Sequence, residues 1–422
     1  MRISYALGKA RGLARLLANR LLAVPFYVAT AIVPRSPRLW AFGSWQGKRF
    51  ADNPKHFFLH CHARESSDVR AVWLSADRGV VRKLRALGLP AHHRSSPRGI
   101  WCALRAGVYL LDVRVADVHH LASRGALRVN LWHGVPLKKI ERDIDQAEHT
   151  VARAHRGPRL TRAILKFRRP ELTERYDAVL ATSKVTAERF ASAFGVSESA
   201  IIRAGYPRND PLLSADTRRF LLPDERAVVD EMLAHGRAGR RVLLYMPTFR
   251  DWGNTADRVI PIDWAAMDAL LRQRDGVLYC KLHPNDRASL PDVSHLERIQ
   301  FLPSGIDPYP LLQHTHALIS DYSSIFFDYL MLDRPIVFYA YDLDAYRRYS
   351  RSMYDDYDRV TPGARATDPA QLEAVLGELL TGYEKHSLVH EAARAQVRDR
   401  FFDHVDAAAS ARLYDELVRR TA

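Results

Sequence analysis

Short apolar segments alternate with amphipathic stretches along most of the chain, and this alternation constrains the fold more than any other feature. The apolar segments are expected to be strands and the amphipathic stretches helices. Regular alternation of this kind predicts parallel sheets with helices on both faces. The predicted strands are 38–44, 69–75, 107–113, 128–132, 178–182, 201–205, 242–246, 277–282, 317–320 and 336–339.

The chain has 422 residues, a length that suggests two or three domains. Loop residues in the stretch 210–228 separate two series of strands and helices. We therefore expect two doubly wound α/β domains, at 38–215 and 216–422, facing each other across a cleft. The predicted helices are 80–87, 183–194, 264–272, 308–313, 324–332, 368–381 and 387–418, with Ser183 as a cap and Gly195 as a stop signal.

Residues 1–37 precede the first predicted strand and combine basic with apolar side chains. An apolar run at 21–33 follows the basic residues and is interrupted by Pro25. The run is shorter than the ~18 residues expected of a membrane-spanning helix. We expect a basic amphipathic helix on an anionic membrane surface. The alternatives are a helix packed on the protein and a signal peptide, for which no small-residue cleavage site follows.

The formal net charge of +15 indicates an anionic partner: nucleic acid, lipid or substrate. Nucleic acid is not expected, because the charge is scattered and no aromatic RNA-binding motif is present. Cys61, Cys102 and Cys280 lie far apart, which argues against a disulfide framework and a zinc site. No dinucleotide fingerprint or Walker loop is present. We expect no cofactor and no metal site, and the divalent-ion requirement stays open.

Polar or Pro/Gly-rich motifs follow several predicted strands, where ligands of open α/β sheets bind. These motifs begin at His133, Tyr206, Pro247, His283 and Asp321. Histidine titrates near neutrality, so His133 is a candidate general base for an attacking hydroxyl. His283 is expected to offer a hydrogen bond or a positive charge to a phosphate. The alternative for both residues is an ordinary histidine in a turn.

The segment from Asp321 to Ser324 joins a predicted strand to a predicted helix. Asp321 or Ser323 is expected to cap that helix, and its free N–H groups with the two serine hydroxyls predict an anion site. The alternative is a helix cap without a ligand. Asp328 lies one turn beyond Ser324 on the same face and is expected to orient a serine, a histidine or a sugar hydroxyl.

Two arginines are candidate phosphate ligands, because guanidinium binds phosphate through two parallel hydrogen bonds. Arg250 is the preferred clamp, with Thr248 beside it on the donor side. Arg208 lies in the Pro-Arg-Asn-Asp loop between the predicted domains, and a structural turn is the alternative for it.

The chain also resembles the CDP-glycerol glycerophosphotransferase family, whose enzymes build teichoic acids and related capsular polymers. The matching motifs, in order, are WAFGSWQGKRFADNPK, NLWHGVPLKKI, GYPRND, LLYMPTFRD, KLHP and SDYSSIFFDYLMLDRPIVFYAYDLDAY. They extend over residues 38–350. Val135 departs from the family pattern, which usually has threonine there, and this bears on acceptor contacts.

The resemblance implies a GT-B fold with the donor nucleotide in the C-terminal domain, and peripheral attachment to the cytoplasmic face of the plasma membrane. By position it implies that His133 is the general base and His283 a second essential histidine. It places one set of residues around the donor phosphates: Arg250, Ser323, Ser324, Asp328, Thr248 and Asp321. A second set is assigned to the acceptor side or to structure: Gly134, Pro136, Arg208, Asn209, Asp210 and Asn53.

The predicted reaction is attack of an acceptor hydroxyl on the glycerol-bearing phosphorus of CDP-glycerol, with release of CMP. The acceptor is expected to be a lipid-linked molecule or a growing polymer. The first alternative is the same chemistry with CDP-ribitol or another CDP-polyol. The second is a GT-B glycosyltransferase, which would release a nucleoside diphosphate from a nucleotide sugar. The third is a non-enzymatic binding protein, which would not turn over the donor.

Overall fold

The computed structural model describes residues 25–64, 68–214, 221–250, 260–282, 293–303 and 305–422. Two parallel sheets form the centre of this part of the molecule. The strands of the first sheet are β1 (Ser36–Phe42), β2 (Arg70–Ser75), β3 (Ala91–His93), β4 (Ala106–Leu111), β5 (Leu127–Asn130), β6 (Ala178–Ala181) and β7 (Ile201–Arg203). Those of the second are β8 (Arg241–Met246), β9 (Gly276–Cys280), β10 (Ile299–Phe301), β11 (Ala317–Ser320), β12 (Ile336–Tyr339) and β13 (Ala364–Ala366).

Both sheets have a doubly wound strand order. The first runs β3-β2-β1-β4-β5-β6-β7 and the second β10-β9-β8-β11-β12-β13. All of these strand pairs are parallel. The winding reverses between β1 and β4 in one sheet and between β8 and β11 in the other. Open sheets bind ligands at the carboxyl ends of the strands beside this reversal. The prediction of two Rossmann-like units is confirmed.

Helices cover both faces of the sheets. Those of the first half are α1 (Asp52–Ala63), α2 (Arg78–Ala86), α3 (Pro97–Arg105), α4 (Thr150–Arg156), α5 (Arg159–Arg168), α6 (Lys184–Phe194) and α7 (Asp210–Leu213). Those of the second half are α8 (Pro223–Arg237), α9 (Trp264–Gln273), α10 (Tyr309–Leu312), α11 (Ile325–Tyr329), α12 (Leu343–Tyr349), α13 (Tyr357–Val360), α14 (Pro369–Thr381), α15 (Tyr383–Val389), α16 (Glu391–Phe401) and α17 (Ala409–Thr421).

Alternate residues of the central strands pack into different hydrophobic cores. In β1, Trp40 and Phe42 enter a core on one face, whereas Leu39 and Ala41 enter another on the opposite face. Burial on both faces explains why these strands are nearly continuous apolar runs in the sequence. The core that contains Trp40 also contains Val242 of β8, so the two units share one contiguous apolar interior.

Several predicted boundaries agree closely with the structure, and others do not. The Ser183 hydroxyl accepts a hydrogen bond from the Thr186 backbone at the start of α6, and Gly195 ends that helix at a φ of 61°. The three-residue strands β3, β10 and β13 were not predicted, because their sequences, AHH, IQF and ARA, contain no apolar run. The stretch 210–228 was predicted as loop, but it contains α7 and the start of α8. Pro223 provides the first residue of α8.

The last helix, α17, returns to the first sheet. Tyr414 packs against Trp40 with ring centroids 5.6 Å apart. The Asp210 carboxylate accepts hydrogen bonds from the Ala409 and Ser410 backbones, each at 2.8 Å. The sequence-based division at residue 215 assigns this helix to the second half of the chain, yet it contacts the first unit. That division itself stays a prediction.

The predicted N-terminal membrane helix lies mostly outside the described residues. Residues 25–29 are helical and are followed by a 3-10 turn at Thr30–Ile32 that leads into β1. Among the residues that the structure describes, no helix has the length and apolar character needed to cross a membrane.

Candidate active site

A cleft of about 470 Å³ lies between the carboxyl edges of the two sheets. The loops that follow β1 and β5 line it from the first unit. The loops that follow β8, β9 and β11 line it from the second. The cleft therefore lies beside the winding reversal of both sheets, where a doubly wound fold is expected to bind ligands.

His133 enters the cleft from the loop that follows β5, three residues beyond the end of the strand. Its Nδ1 lies 3.0 Å from the backbone oxygen of Asp112. A carbonyl oxygen only accepts, so the proton is on Nδ1 and Nε2 is the acceptor atom. Burial lowers the pKa of His133 below its usual value, although Asp52 and the Asp112 carbonyl act in the opposite direction. The ring is therefore neutral at neutral pH, as a general base must be.

The loop after β1 is held in an unusual backbone conformation beside His133. Trp45 and Gln46 have φ values of 49° and 58°, in the left-handed region that non-glycine residues rarely adopt. The Asp112 carboxyl group accepts hydrogen bonds from the Trp45 backbone at 3.1 Å and the Ser44 hydroxyl at 2.6 Å. Asp117 accepts one from the Gln46 backbone at 2.6 Å. These contacts offset the backbone strain.

Asp112 thereby supports two walls of the site at once. Its backbone oxygen fixes His133, and its carboxyl group fixes Trp45, whose ring centroid lies 5.9 Å from that of His133. Burial, followed by the nearby Asp117, raises the pKa of Asp112 well above the usual range. Asp112 was not among the residues predicted from the sequence. An aspartate that directly follows a buried strand was the available signal.

The start of α11 approaches His133 from the opposite unit. A Cβ atom added to Gly134 would lie 2.6 Å from the Ser324 hydroxyl oxygen, and Gly134 has a φ of 153°. Only glycine fits this contact. The structure thus brings together His133 and the serine pair Ser323–Ser324, which the sequence had placed on different domains.

The predicted cap of this helix is wrong in detail. Asp321 does not cap α11: its carboxylate accepts a hydrogen bond from the Thr248 backbone at 2.8 Å and pairs with Arg250 at 2.5 Å. Ser324 occupies the cap position without a side-chain cap bond, and Ser323 Oγ accepts a long bond of 3.5 Å from the Ile325 backbone. The helix is five residues long and continues as a 3-10 turn at Leu330–Leu332.

Arg250 is held away from the cleft wall. Besides Asp321, its guanidinium makes two hydrogen bonds of 2.8 Å to the Asp342 carboxylate. It also lies over the ring of Tyr322 at 4.9 Å. The structure therefore does not bring Arg250 to the position of a phosphate clamp. Arg250 joins the strand-end motif of Thr248 to that of Asp321, and Thr248 itself lines the cleft.

Asp328 is likewise engaged within the protein. Its carboxylate pairs with Arg208 at 2.7 Å and accepts a hydrogen bond from the Tyr309 hydroxyl at 3.1 Å. The other side of the Arg208 guanidinium pairs with Asp52 at 2.6 Å. Asp328 and Arg208 are almost completely buried. Arg208 therefore bridges two buried carboxylates and also lines the cleft, and Asp328 faces this arginine. The predicted roles of both residues stay predictions.

The remaining predicted residues either line the cleft or support the loops that form it. Pro136 lines the cleft. Asn53 donates hydrogen bonds to the backbone oxygens of Leu131 and Trp132, just before His133, and Asp210 caps α17. Asn209 is buried in the 3-10 turn that carries Arg208. His283 lies outside the described residues, so its role stays a prediction.

Four cations that line the cleft together with His133 were not predicted: Arg49, Lys138, Lys281 and Arg351. Burial, together with the charge of Arg49, lowers the pKa of Lys281 to about 8. In the part of the chain that the structure describes, no three His, Cys, Asp or Glu side chains are grouped as a metal site requires.

Two Rossmann-like units, with a cleft at the winding reversal of both sheets, define a protein of the GT-B fold class. The chain belongs to the CDP-glycerol:poly(glycerophosphate) glycerophosphotransferase family, whose model matches residues 26–419.

Individual relatives agree with this assignment. The chain is 27% identical over 350 residues to a teichoic acid glycerol-phosphate transferase of Staphylococcus aureus, covering 82% of this chain and 85% of the relative. It is 26% identical over 353 residues to a teichoic acid poly(glycerol phosphate) polymerase of Bacillus spizizenii, covering 83% and 85%. The structure of the wall teichoic acid polymerase TagF superimposes with a TM-score of 0.73 at 23% identity, covering 98% of both chains, and supports the fold.

Proposed function

We propose that this enzyme transfers glycerol phosphate from CDP-glycerol to a hydroxyl of a lipid-linked or polymeric acceptor, releasing CMP, in the synthesis of a teichoic-acid-like or capsular polymer. The observation that carries the proposal is the contact of two loops across the cleft. A neutral histidine with a free acceptor nitrogen, His133, lies beside the Ser323–Ser324 helix start of the other unit. Family membership supports the donor, and the names of the relatives support the polymer.

The proposed reaction needs one base and one anion site. His133 Nε2 accepts the proton of the acceptor hydroxyl as the hydroxyl oxygen bonds to the glycerol-bearing phosphorus. The bond from that phosphorus to the bridging pyrophosphate oxygen breaks, and CMP leaves with the bond electrons. The Ser323 and Ser324 hydroxyls and the nearby N–H groups stabilise charge on the donor phosphates. We assign His283 to the same phosphates.

The other predicted donor residues act as supports in this scheme. Arg250 holds the Thr248 and Asp321 motifs together, and Asp328 holds Arg208. We propose that residues 38–215 form the acceptor side and residues 216–422 the donor side. Val135 lines the cleft two residues after His133 and is fully buried, so its departure from the family pattern changes packing on the acceptor side.

The test is release of CMP by the purified chain. We expect CDP-glycerol to be used well above CDP-ribitol, and no nucleoside diphosphate to form from a nucleotide sugar. His133→Ala should lower turnover by about 10²–10⁴-fold, the range for loss of a general base. His295→Ala is the control, because His295 is exposed and does not line the cleft. Equal turnover by His133→Ala and the control would contradict the assignment of the base.

We also propose peripheral attachment to the cytoplasmic face of the plasma membrane, supported by helix α5. Three apolar side chains of this helix are exposed, Leu160 by 73%, Ile164 by 46% and Phe167 by 45%. They alternate with cations, and the sequence of the helix is RLTRAILKFR. Such a helix suits an anionic lipid surface. Exposed Phe26, Val28 and Ile32 lie at the N-terminal end of the described chain, and Tyr27 shares a recess with Lys166 of α5.

Vesicle sedimentation tests the attachment. Wild-type protein should bind vesicles that contain phosphatidylglycerol and show weak binding to vesicles of phosphatidylcholine alone. Leu160→Asp combined with Phe167→Asp should reduce binding about tenfold or more, since both changes place charge in the lipid. Trp101→Asp, another exposed apolar position, serves as the control. If both variants bind like wild type, α5 does not contact the membrane.

A further inference from the structure

Two indole rings flank the proposed base. The ring centroid of Trp132 lies 4.1 Å from that of His133, and the ring centroid of Trp45 lies 5.9 Å from it. The two tryptophans differ in their surroundings. Trp132 is buried in a hydrophobic core of the first unit, whereas Trp45 is 39% exposed at the wall of the cleft. Packing in a core therefore explains the position of Trp132 but not that of Trp45.

The backbone that carries Trp45 is strained. Trp45 and Gln46 have left-handed φ values of 49° and 58°, and each such residue costs on the order of 1 kcal/mol or more. Two buried carboxyl groups hold this conformation, Asp112 through the Trp45 N–H and Asp117 through the Gln46 N–H. Strained backbone that is held by buried side chains is typical of functional sites. Here the strain keeps an exposed indole beside His133, which indicates that the ring acts in the reaction.

Water competes with the acceptor in the proposed reaction, because His133 Nε2 can accept a proton from either hydroxyl. If water reacts, its oxygen bonds to the glycerol-bearing phosphorus and His133 takes its proton. The bond from that phosphorus to the bridging oxygen breaks, and the products are glycerol phosphate and CMP. The donor is then consumed without transfer. A transferase therefore needs a group that keeps water away from its base.

We propose that Trp45 makes His133 select the hydroxyl of a carbon-bearing acceptor over water. This proposal rests on the proposed function. The indole occupies space beside His133 that water would otherwise fill, and it offers an apolar surface to the C–H groups next to the acceptor hydroxyl. Water has no such groups, so contact with the indole favours the acceptor alone. The Arg49 guanidinium carbon lies 5.3 Å from the Trp45 ring centroid and helps to hold the ring in place.

The partition of CDP-glycerol between transfer and hydrolysis tests this role. The full chain is incubated with CDP-glycerol, with and without octyl phosphoglycerol, a soluble mimic of a glycerol phosphate chain end. Extended acceptor, glycerol phosphate and CMP are quantified. Trp45→Ala should raise CMP release without acceptor and lower the ratio of transfer to hydrolysis by roughly tenfold or more, the size of discrimination that an apolar contact supplies. Trp45→Phe should retain part of the wild-type ratio.

The pH dependence is a second readout, which a purely structural role of Trp45 would not change. Burial is the largest effect on the pKa of His133 and lowers it. Removing the indole lets water reach the imidazole, so the pKa of His133 should rise toward its usual value and the acid limb of kcat/KM should move to higher pH. The charged groups that also act on the imidazole, Asp52, Asp117 and Arg208, are unchanged in this variant.

Trp101→Ala is the matched control, because Trp101 is an exposed tryptophan of α3 that does not line the cleft. Trp45→Gly is a second variant without the indole, and glycine adopts a φ of 49° without strain, so the fold is retained. Loss of transfer without a gain in hydrolysis in Trp45→Ala and Trp45→Gly would overturn the proposal, and so would a wild-type partition in both. If the wild-type chain releases no CMP from CDP-glycerol with the acceptor, the proposed function fails instead.

Discussion

Replacing Gly134 with alanine tests the contact on which the proposed site depends. The new Cβ would lie 2.6 Å from the Ser324 hydroxyl oxygen and 3.3 Å from its Cβ, closer than real atoms of this kind approach. The two loops must therefore separate by about half an ångström or distort. Alanine also disfavours the φ of 153° at this position. We expect the free energy of unfolding to fall by about 1–3 kcal/mol, the usual cost of forcing extra volume into a packed contact.

The effect on catalysis should be larger than the effect on folding. His133 precedes the substituted residue, and Ser324 belongs to the donor site, so the same displacement moves the base away from the reacting phosphorus. Misplacement by an ångström costs on the order of 100-fold in rate, so we expect kcat/KM to fall by about 10- to 100-fold. CMP release and the urea midpoint of unfolding measure the two effects.

Two companion variants separate the explanations. Gly236→Ala is the control: Gly236 is an exposed helical glycine of α8 with open space around its Cβ, so alanine should be neutral or stabilising by up to about 1 kcal/mol. Adding Ser324→Gly to Gly134→Ala removes the atoms that clash and should restore much of the lost stability, while activity stays low because the hydroxyl is gone. Wild-type stability and turnover in Gly134→Ala would refute the juxtaposition of His133 and Ser324.

Two further predictions follow from charge. Since His133 must be neutral to act and burial lowers its pKa, kcat/KM should rise with pH through an apparent pKa below the usual histidine value; a pH–rate profile whose apparent pKa is at or above that value would contradict the assignment of the base. Lys55→Met leaves Glu225 buried without its cation, so the free energy of unfolding should drop by about 3–5 kcal/mol. The control Lys83→Met breaks an exposed ion pair and should lower the free energy of unfolding by less than about 1 kcal/mol; urea unfolding measures both.

The sequence predicted where the site residues lie relative to the strands better than it predicted which groups their side chains contact. His133 and the Ser323–Ser324 pair were found because a buried strand makes an apolar run, and its carboxyl end marks the place of a ligand. The edge strand β3 was not predicted, because its sequence, AHH, contains no apolar run. The preference of the chain for helix or strand is local information, and the sequence contains it directly.

Partners of charged residues are tertiary information, which the local sequence pattern does not contain. Arg250 follows a strand, as expected of a phosphate ligand. In the structure its guanidinium pairs with Asp342, which lies 92 residues further along the chain. Asp328 was placed correctly one turn after Ser324, but nothing local indicated that Arg208 would meet it. The strained loop at Trp45 was missed for the same reason, because Asp112 holds it from another strand.

Arg208 explains how the two halves of the site keep their spacing. Its guanidinium joins Asp52 at the start of α1 to Asp328 within α11, and its backbone N–H donates to Asn53. Asn53 in turn bonds the backbone just before His133. One buried side chain thus connects the base on the first unit with the serine helix on the second. Removing the Arg208 guanidinium would leave the carboxylates of Asp52 and Asp328 buried without their shared cation, which would lower the stability of the fold. We infer that Arg208 of the GYPRND motif acts by aligning the two sides of the cleft and does not itself contact a phosphate.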